Sequence, residues 1–135
     1  MAPLLMWLRR LRRVRSDTLY VEELPWFGRR IDLATLTTTR TTTAYELKLA
    51  DNRRAIEQAA YNALSFDRSF VVTGTRPSPA TMYMAERHAV GIIVIRPEQS
   101  IPHTVVHPVN QSVSGPVRKR LLTTLRDRGV ELADV

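Results

Sequence analysis

The chain has 135 residues, room for one domain with a core of its own and little more. Hydrophobic residues make up 44%, too many for wholesale disorder, and no apolar run reaches the ~20 residues that span a bilayer. The absence of cysteine excludes disulfides, thiolate catalysis and sulfur-ligated zinc, while a formal charge of +7 favours a polyanionic partner, nucleic acid ahead of an acidic membrane surface.

The first segment, MAPLLMWLRRLRRVR, places Leu4, Trp7, Leu8, Leu11 and Val14 at helical spacing, with Arg9, Arg10, Arg12, Arg13 and Arg15 around the rest. This pattern predicts a basic amphipathic helix over 1–16, ahead of a single domain over 17–135. Its charges follow the apolar stretch instead of preceding it, so it does not read as a secretory signal, and a cytoplasmic location is expected. Three roles stay open for it: docking on the core, gripping a DNA backbone or protein partner, or lying on a membrane surface.

Period-two patterning begins at Thr18. TLYVEELPW reads as a short strand or irregular lead-in cut by Pro25, GRRIDLATL as a strand, and TAYELKLA as its return after a Thr-rich turn near 37–40. ADNRRAIEQAAYNALSFD reads as a helix capped by Asp51 or Asn52, with Ile56, Ala59, Ala60 and Ala63 as its inward stripe. SFVVTG is a buried strand. Ser78-Pro79 opens a second helix reaching about Ala89, and GIIVIRP is a further strand. HTVVHPV is an edge strand between prolines, and SGPVRKRLLTTLRDRGV a last helix with Val117, Leu121 and Leu125 inward. The order predicts a mixed α/β sheet with helices packed on it.

The chemistry falls on the hairpin. Strict alternation puts Ile31, Leu33 and Thr35 on one face and Asp32 on the other. It likewise puts Tyr45, Leu47 and Leu49 opposite Glu46 and Lys48. A turn near residue 39 then sets Asp32 across from Glu46, where cross-strand neighbours come within about 5 Å. Two carboxylates that close repel unless a positive group lies between them, and a hard divalent cation fits that need. Lys48 is one of only two lysines against 18 arginines. Unlike arginine it can lose its proton, which gives a reason for lysine at this place.

Asp32 followed by Glu46-Leu47-Lys48 resembles the D…(D/E)-x-K signature of the PD-(D/E)XK, or restriction-endonuclease-like, nuclease superfamily. The resemblance spans roughly 18–97, with Ile31 where the family name has proline. It implies an αβββαβ core and Mg²⁺- or Mn²⁺-dependent hydrolysis of DNA phosphodiesters, by endo- or exonucleolytic cleavage. Asp32, Glu46 and the Leu47 carbonyl would hold the ion, Lys48 would position or activate water, and Glu23 would assist. Gln58 matches the family's Gln…Tyr element and, with Arg54, would orient phosphate or metal ligands. Arg9, Arg10, Arg12, Arg13, Arg30, Arg54 and Tyr61 would contact nucleic acid. A homodimer and a helicase or methyltransferase partner remain open. The competing reading is a non-catalytic DNA-binding or assembly module that keeps the fold. Tyr20, Trp26 and Phe27 read as a hydrophobic plug at the sheet end more readily than as base-stacking groups, and His103 and His107 as an exposed edge pair.

Overall fold

The structure, a computed structural model, describes residues 18–48, 53–96 and 102–132. The expected N-terminal helix with Arg9, Arg10, Arg12 and Arg13 lies outside the described residues, as do Asp51 and Asn52. The lead-in before Pro25 is a full strand, β1 (Leu19–Trp26), joined by Phe27-Gly28 to β2 (Arg29–Leu36). A threonine turn follows, in which the Thr41 N–H donates to Thr37 Oγ1 at 3.0 Å, and leads into β3 (Thr42–Lys48). Then come α1 (Arg53–Asn62), β4 (Arg68–Thr73), α2 (Pro79–Arg87), β5 (Gly91–Val94), β6 (His103–Val106), α3 (Gly115–Arg128) and β7 (Val130–Glu131). Ser78 caps α2 by accepting from the Thr81 N–H at 3.2 Å, with Pro79 in the first turn where no N–H is needed.

Among the described residues, one sheet holds all seven strands in the order β6-β5-β4-β3-β2-β1-β7. β1, β2 and β3 form an antiparallel meander, β3, β4 and β5 are parallel through crossovers containing α1 and α2, and β6 returns antiparallel at the far edge. The two-residue β7 pairs with Leu19 and Tyr20 of β1, and no pattern in the sequence announces so short a strand. Gly129 makes this pairing sterically feasible, because a Cβ there would stand 2.8 Å from the Leu19 Cβ.

α1 packs on β3 and β4, α2 on β5 and β6, and α3 on β1 and β2. Leu24, Trp26, Ala34, Leu36 and Ala44 pack with Leu121, Leu122 and Leu125 of α3. Ala55, Ile56 and Ala59 of α1 pack with Val71, Ile92 and Val94. Leu33, Tyr45, Phe70, Val72 and Ile93 alternate with those strand residues and make a separate cluster on the other face, where Tyr45 and Phe70 stack at 5.4 Å.

Two expectations are corrected. Ile31 does not join Leu33; it packs with Leu24, Trp26 and Ala34. The apolar phase of β1 slips by one residue between Val21 and Leu24, where Glu23 has φ +51°, and β2 slips beside it. The inward stripe of α1 is Ala55, Ile56, Ala59 and Asn62, so Ile56 and Ala59 face inward as expected while Ala60 and Ala63 do not belong to it, and the helix ends at Asn62 instead of running toward Asp67.

Candidate active site

Backbone pairing between β2 and β3 runs from Leu36↔Thr42 to Leu33↔Tyr45. One step further, Asp32 stands opposite Glu46, and here a side chain takes over from the ladder. The Leu47 N–H donates to Asp32 Oδ2 at 2.8 Å. This bond fixes one oxygen of Asp32 beside the β3 backbone and leaves the carboxyl facing its neighbour on the adjacent strand.

Glu46 is 5% exposed, so the two acids do not merely solvate an open sheet face. α1 lies over it. Asn62, 1% exposed, donates through Nδ2 to Glu46 Oε1 at 2.9 Å. The Asn62 Oδ1 in turn accepts from the Arg29 guanidinium. Arg29 also donates to the Gln58 carbonyl at 3.4 Å and lies 5.1 Å from the centre of the Tyr61 ring. A chain of polar contacts therefore runs from the start of β2, across the end of α1, to the buried acid on β3.

Burial pushes the Glu46 carboxyl from 4.5 up to about 7, opposed by the Asn62 amide that favours its charged form. The nearby Asp32 charge and a hydrogen bond with Asp32 raise it further, and Arg29 draws it back. The Glu46 carboxyl thus holds its proton up to about neutrality in the metal-free site.

The other predicted residues are distributed around this pair. Lys48 is half-buried at the end of β3, two residues beyond Glu46 and in register with Thr73 of β4. Gln58 sits one helical turn before Asn62 on the same side of α1, and its Oε1 is buried without a hydrogen-bond partner. Arg54 is exposed on the first turn of α1, and Tyr61 is exposed beneath Arg29. Glu23 falls opposite Asp32 in the register, yet its side chain is exposed and lies 3.7 Å from Arg30, itself exposed. Sequence reasoning missed Asn62 and Arg29. The signal for Asn62 was its spacing, since it continues the stripe of Ile56 and Ala59 as a polar residue on an inward face. Arg29 carried none, being one arginine among many.

Solved structures that resemble the chain include the following three. A protein of unknown function from Silicibacter pomeroyi matches with a TM-score of 0.64 at 20% identity, over 93% of this chain and 80% of that one. A repair endonuclease from Pyrococcus abyssi matches at 0.53 and 14%, over 71% of this chain and 46% of that one. EndoMS bound to double-stranded DNA matches at 0.54 and 10%, over 73% of this chain and 45% of its own. The chain has the restriction-endonuclease-like fold. It spans less than half the length of the repair endonuclease and of EndoMS. No protein-family model and no curated protein matches the sequence.

Within this restriction-endonuclease-like sheet, the donors beside Glu46 suit a hard divalent cation. Carboxylate and carbonyl oxygens are the ligands such ions take, and the unpartnered Gln58 Oε1 is an oxygen acceptor of the same kind. Among the described residues no third histidine or acid joins Asp32 and Glu46. A cation held here would draw its further ligands from the Leu47 carbonyl, Gln58 and water.

Proposed function

We propose that the protein is a divalent-metal-dependent nuclease that hydrolyses DNA phosphodiester bonds at Asp32, Glu46 and Lys48. The observation that carries this reading is the burial of Glu46 against Asp32, with Asn62 and Arg29 fixing one of its oxygens. Burying a carboxylate is costly unless it is paired and hydrogen-bonded, and here Asn62 secures one edge of Glu46 while its carboxyl also meets Asp32. Asp32 and Glu46 would hold the cation, with the Leu47 carbonyl and Gln58 Oε1 as further donors. The ion supplies Lewis acidity toward the scissile phosphate. Lys48 would hold the attacking water and, as the neutral amine, take its proton; as the ammonium ion it would instead place a positive charge beside the phosphoryl oxygens. Asn62 and Arg29 are positioning residues. Exposed arginines, Arg30 and Arg54 among them, meet the phosphate backbone, consistent with the net charge of +7.

The test is incubation with plasmid, linear and single-stranded DNA in Mg²⁺, Mn²⁺ or EDTA. Cutting is expected with either metal and not in EDTA, and Asp32→Ala and Glu46→Gln should each abolish it while circular dichroism stays native. Cutting that survives both substitutions would place the chemistry elsewhere. Binding without cutting under every condition would favour the non-catalytic DNA-binding module.

A further inference from the structure

The β1–β2 connection is two residues long, because Trp26 and Arg29 are the last pair of the ladder on either side of Phe27-Gly28. Both residues have positive φ, 49° at Phe27 and 74° at Gly28, the combination of a type I′ turn. Such turns are dominated by Asn-Gly, Asp-Gly and Gly-Gly, since a bulky L-residue at positive φ is strained. Phenylalanine is a poor choice for the turn, and it is not rescued by burial: its side chain is 59% exposed. The expected plug role therefore holds for Trp26, 6% exposed, and fails for Phe27.

The exposed ring is nevertheless held in place. Phe27 meets the Trp26 ring edge-on at 5.0 Å, and the Arg120 guanidinium from α3 covers both rings, 5.4 Å from Trp26 and 5.2 Å from Phe27. These groups wall a concavity of about 680 Å³, lined by residues 25–30 and Arg120. Three arginines border it, and Arg29 is the same residue that reaches through Asn62 toward Glu46. The Trp26 Nε1–H in its wall is buried and has no acceptor.

An exposed, propped aromatic ring ringed by guanidinium groups is the surface on which an unstacked base and its flanking phosphates are held. We infer that the Phe27 turn is a stacking platform for an unpaired nucleotide of the DNA strand that enters the site. The ring carries the base, and Arg30 and Arg120 carry the phosphates on either side. A fully paired duplex keeps its bases inside the stack and offers this ring nothing, so the platform selects single-stranded or locally opened DNA. The inference takes DNA as the ligand from the nuclease reading.

Fluorescence anisotropy in EDTA tests it without cutting, using the full chain. The probes are a short single-stranded DNA oligonucleotide and its abasic counterpart of equal length and charge. The wild-type protein should bind the base-bearing strand more tightly, by about five- to 150-fold if one base stacks. Phe27→Asn should erase that ratio while leaving the melting temperature equal or higher, since asparagine suits the turn. Phe27→Trp should preserve the ratio. Equal binding of the two probes by the wild type, or a ratio that survives Phe27→Asn, would overturn the platform. A protein that discriminates bases but never cuts in Mg²⁺ or Mn²⁺ would support the platform while sinking the nuclease reading.

Discussion

Glu46 is pulled in opposite directions by its surroundings. Its carboxyl titrates at 4.5 in the unfolded chain and about 7 in the folded, metal-free protein, so between these values the native state binds the extra proton. Its stabilising contribution is complete below the unfolded value and is lost as pH rises through the folded one. Melting in EDTA should therefore weaken from about pH 5 to about pH 8, by roughly 3 kcal/mol at most, and Glu46→Gln should flatten the profile. Cation binding runs the other way, because the ion displaces that proton, so Mn²⁺ affinity by calorimetry should climb through neutrality. Asn62 sets where the climb begins. Asn62→Ala removes the donor that favours charged Glu46 and takes from Arg29 its side-chain acceptor, leaving it the Gln58 main-chain carbonyl, at a cost of about 1–3 kcal/mol. Mn²⁺ binding by that variant should suffer more at neutral than at alkaline pH. A loss independent of pH would mean that Asn62 serves packing alone.

Away from the acids, one clamp decides how the last helix is joined to the sheet. Asp67, almost wholly buried, accepts from the Thr42 N–H at 2.9 Å and from Arg118 at 2.8 Å through both carboxylate oxygens. Arg118 also donates to the Arg40 carbonyl, so the start of α3, the β2–β3 turn and the approach to β4 meet at one point. Arg118→Ala leaves that carboxylate without its counter-charge and should cost about 3–5 kcal/mol by denaturant unfolding. An Asp67→Asn, Arg118→Leu pair should recover part of the loss. Apart from β7, the strands and helices from β2 onward were legible in the sequence, because each carries its own period and punctuation: Ser78-Pro79 opens α2, and Pro102 and Pro108 bound β6. The Asp32–Glu46 alignment was legible too, since the turn length fixes the register. The slip at Glu23 was not, because it depends on a backbone angle that no residue type there demands. The Arg29–Asn62–Glu46 chain was hidden for a related reason. It joins residues 33 and 16 positions apart, and only the folded sheet brings them together.

At the scale of the whole molecule, charge governs encounter. Each phosphate neutralised on duplex DNA contributes about −0.9 to the slope of log affinity against log salt. Replacing Arg9, Arg10 and Arg12 with Gln should flatten that slope by roughly two to three units and weaken all sequences alike if these residues grip the backbone. An unchanged slope, with vesicle binding lost instead, would assign the segment to a membrane surface. The sheet also has a direction in time. β1 leaves the ribosome before β7, which pairs with it, and the Leu132 N–H closes onto the Thr18 carbonyl at 2.8 Å only once β7 has been made. Until then the outer edge of β1 is open to any passing strand. Pro25, the charges of Glu22 and Glu23, and the backbone turn at Glu23 sit on the stretch that β7 does not cover. They guard the nascent chain permanently, whereas β7 seals only the end where Leu19 and Tyr20 wait for it.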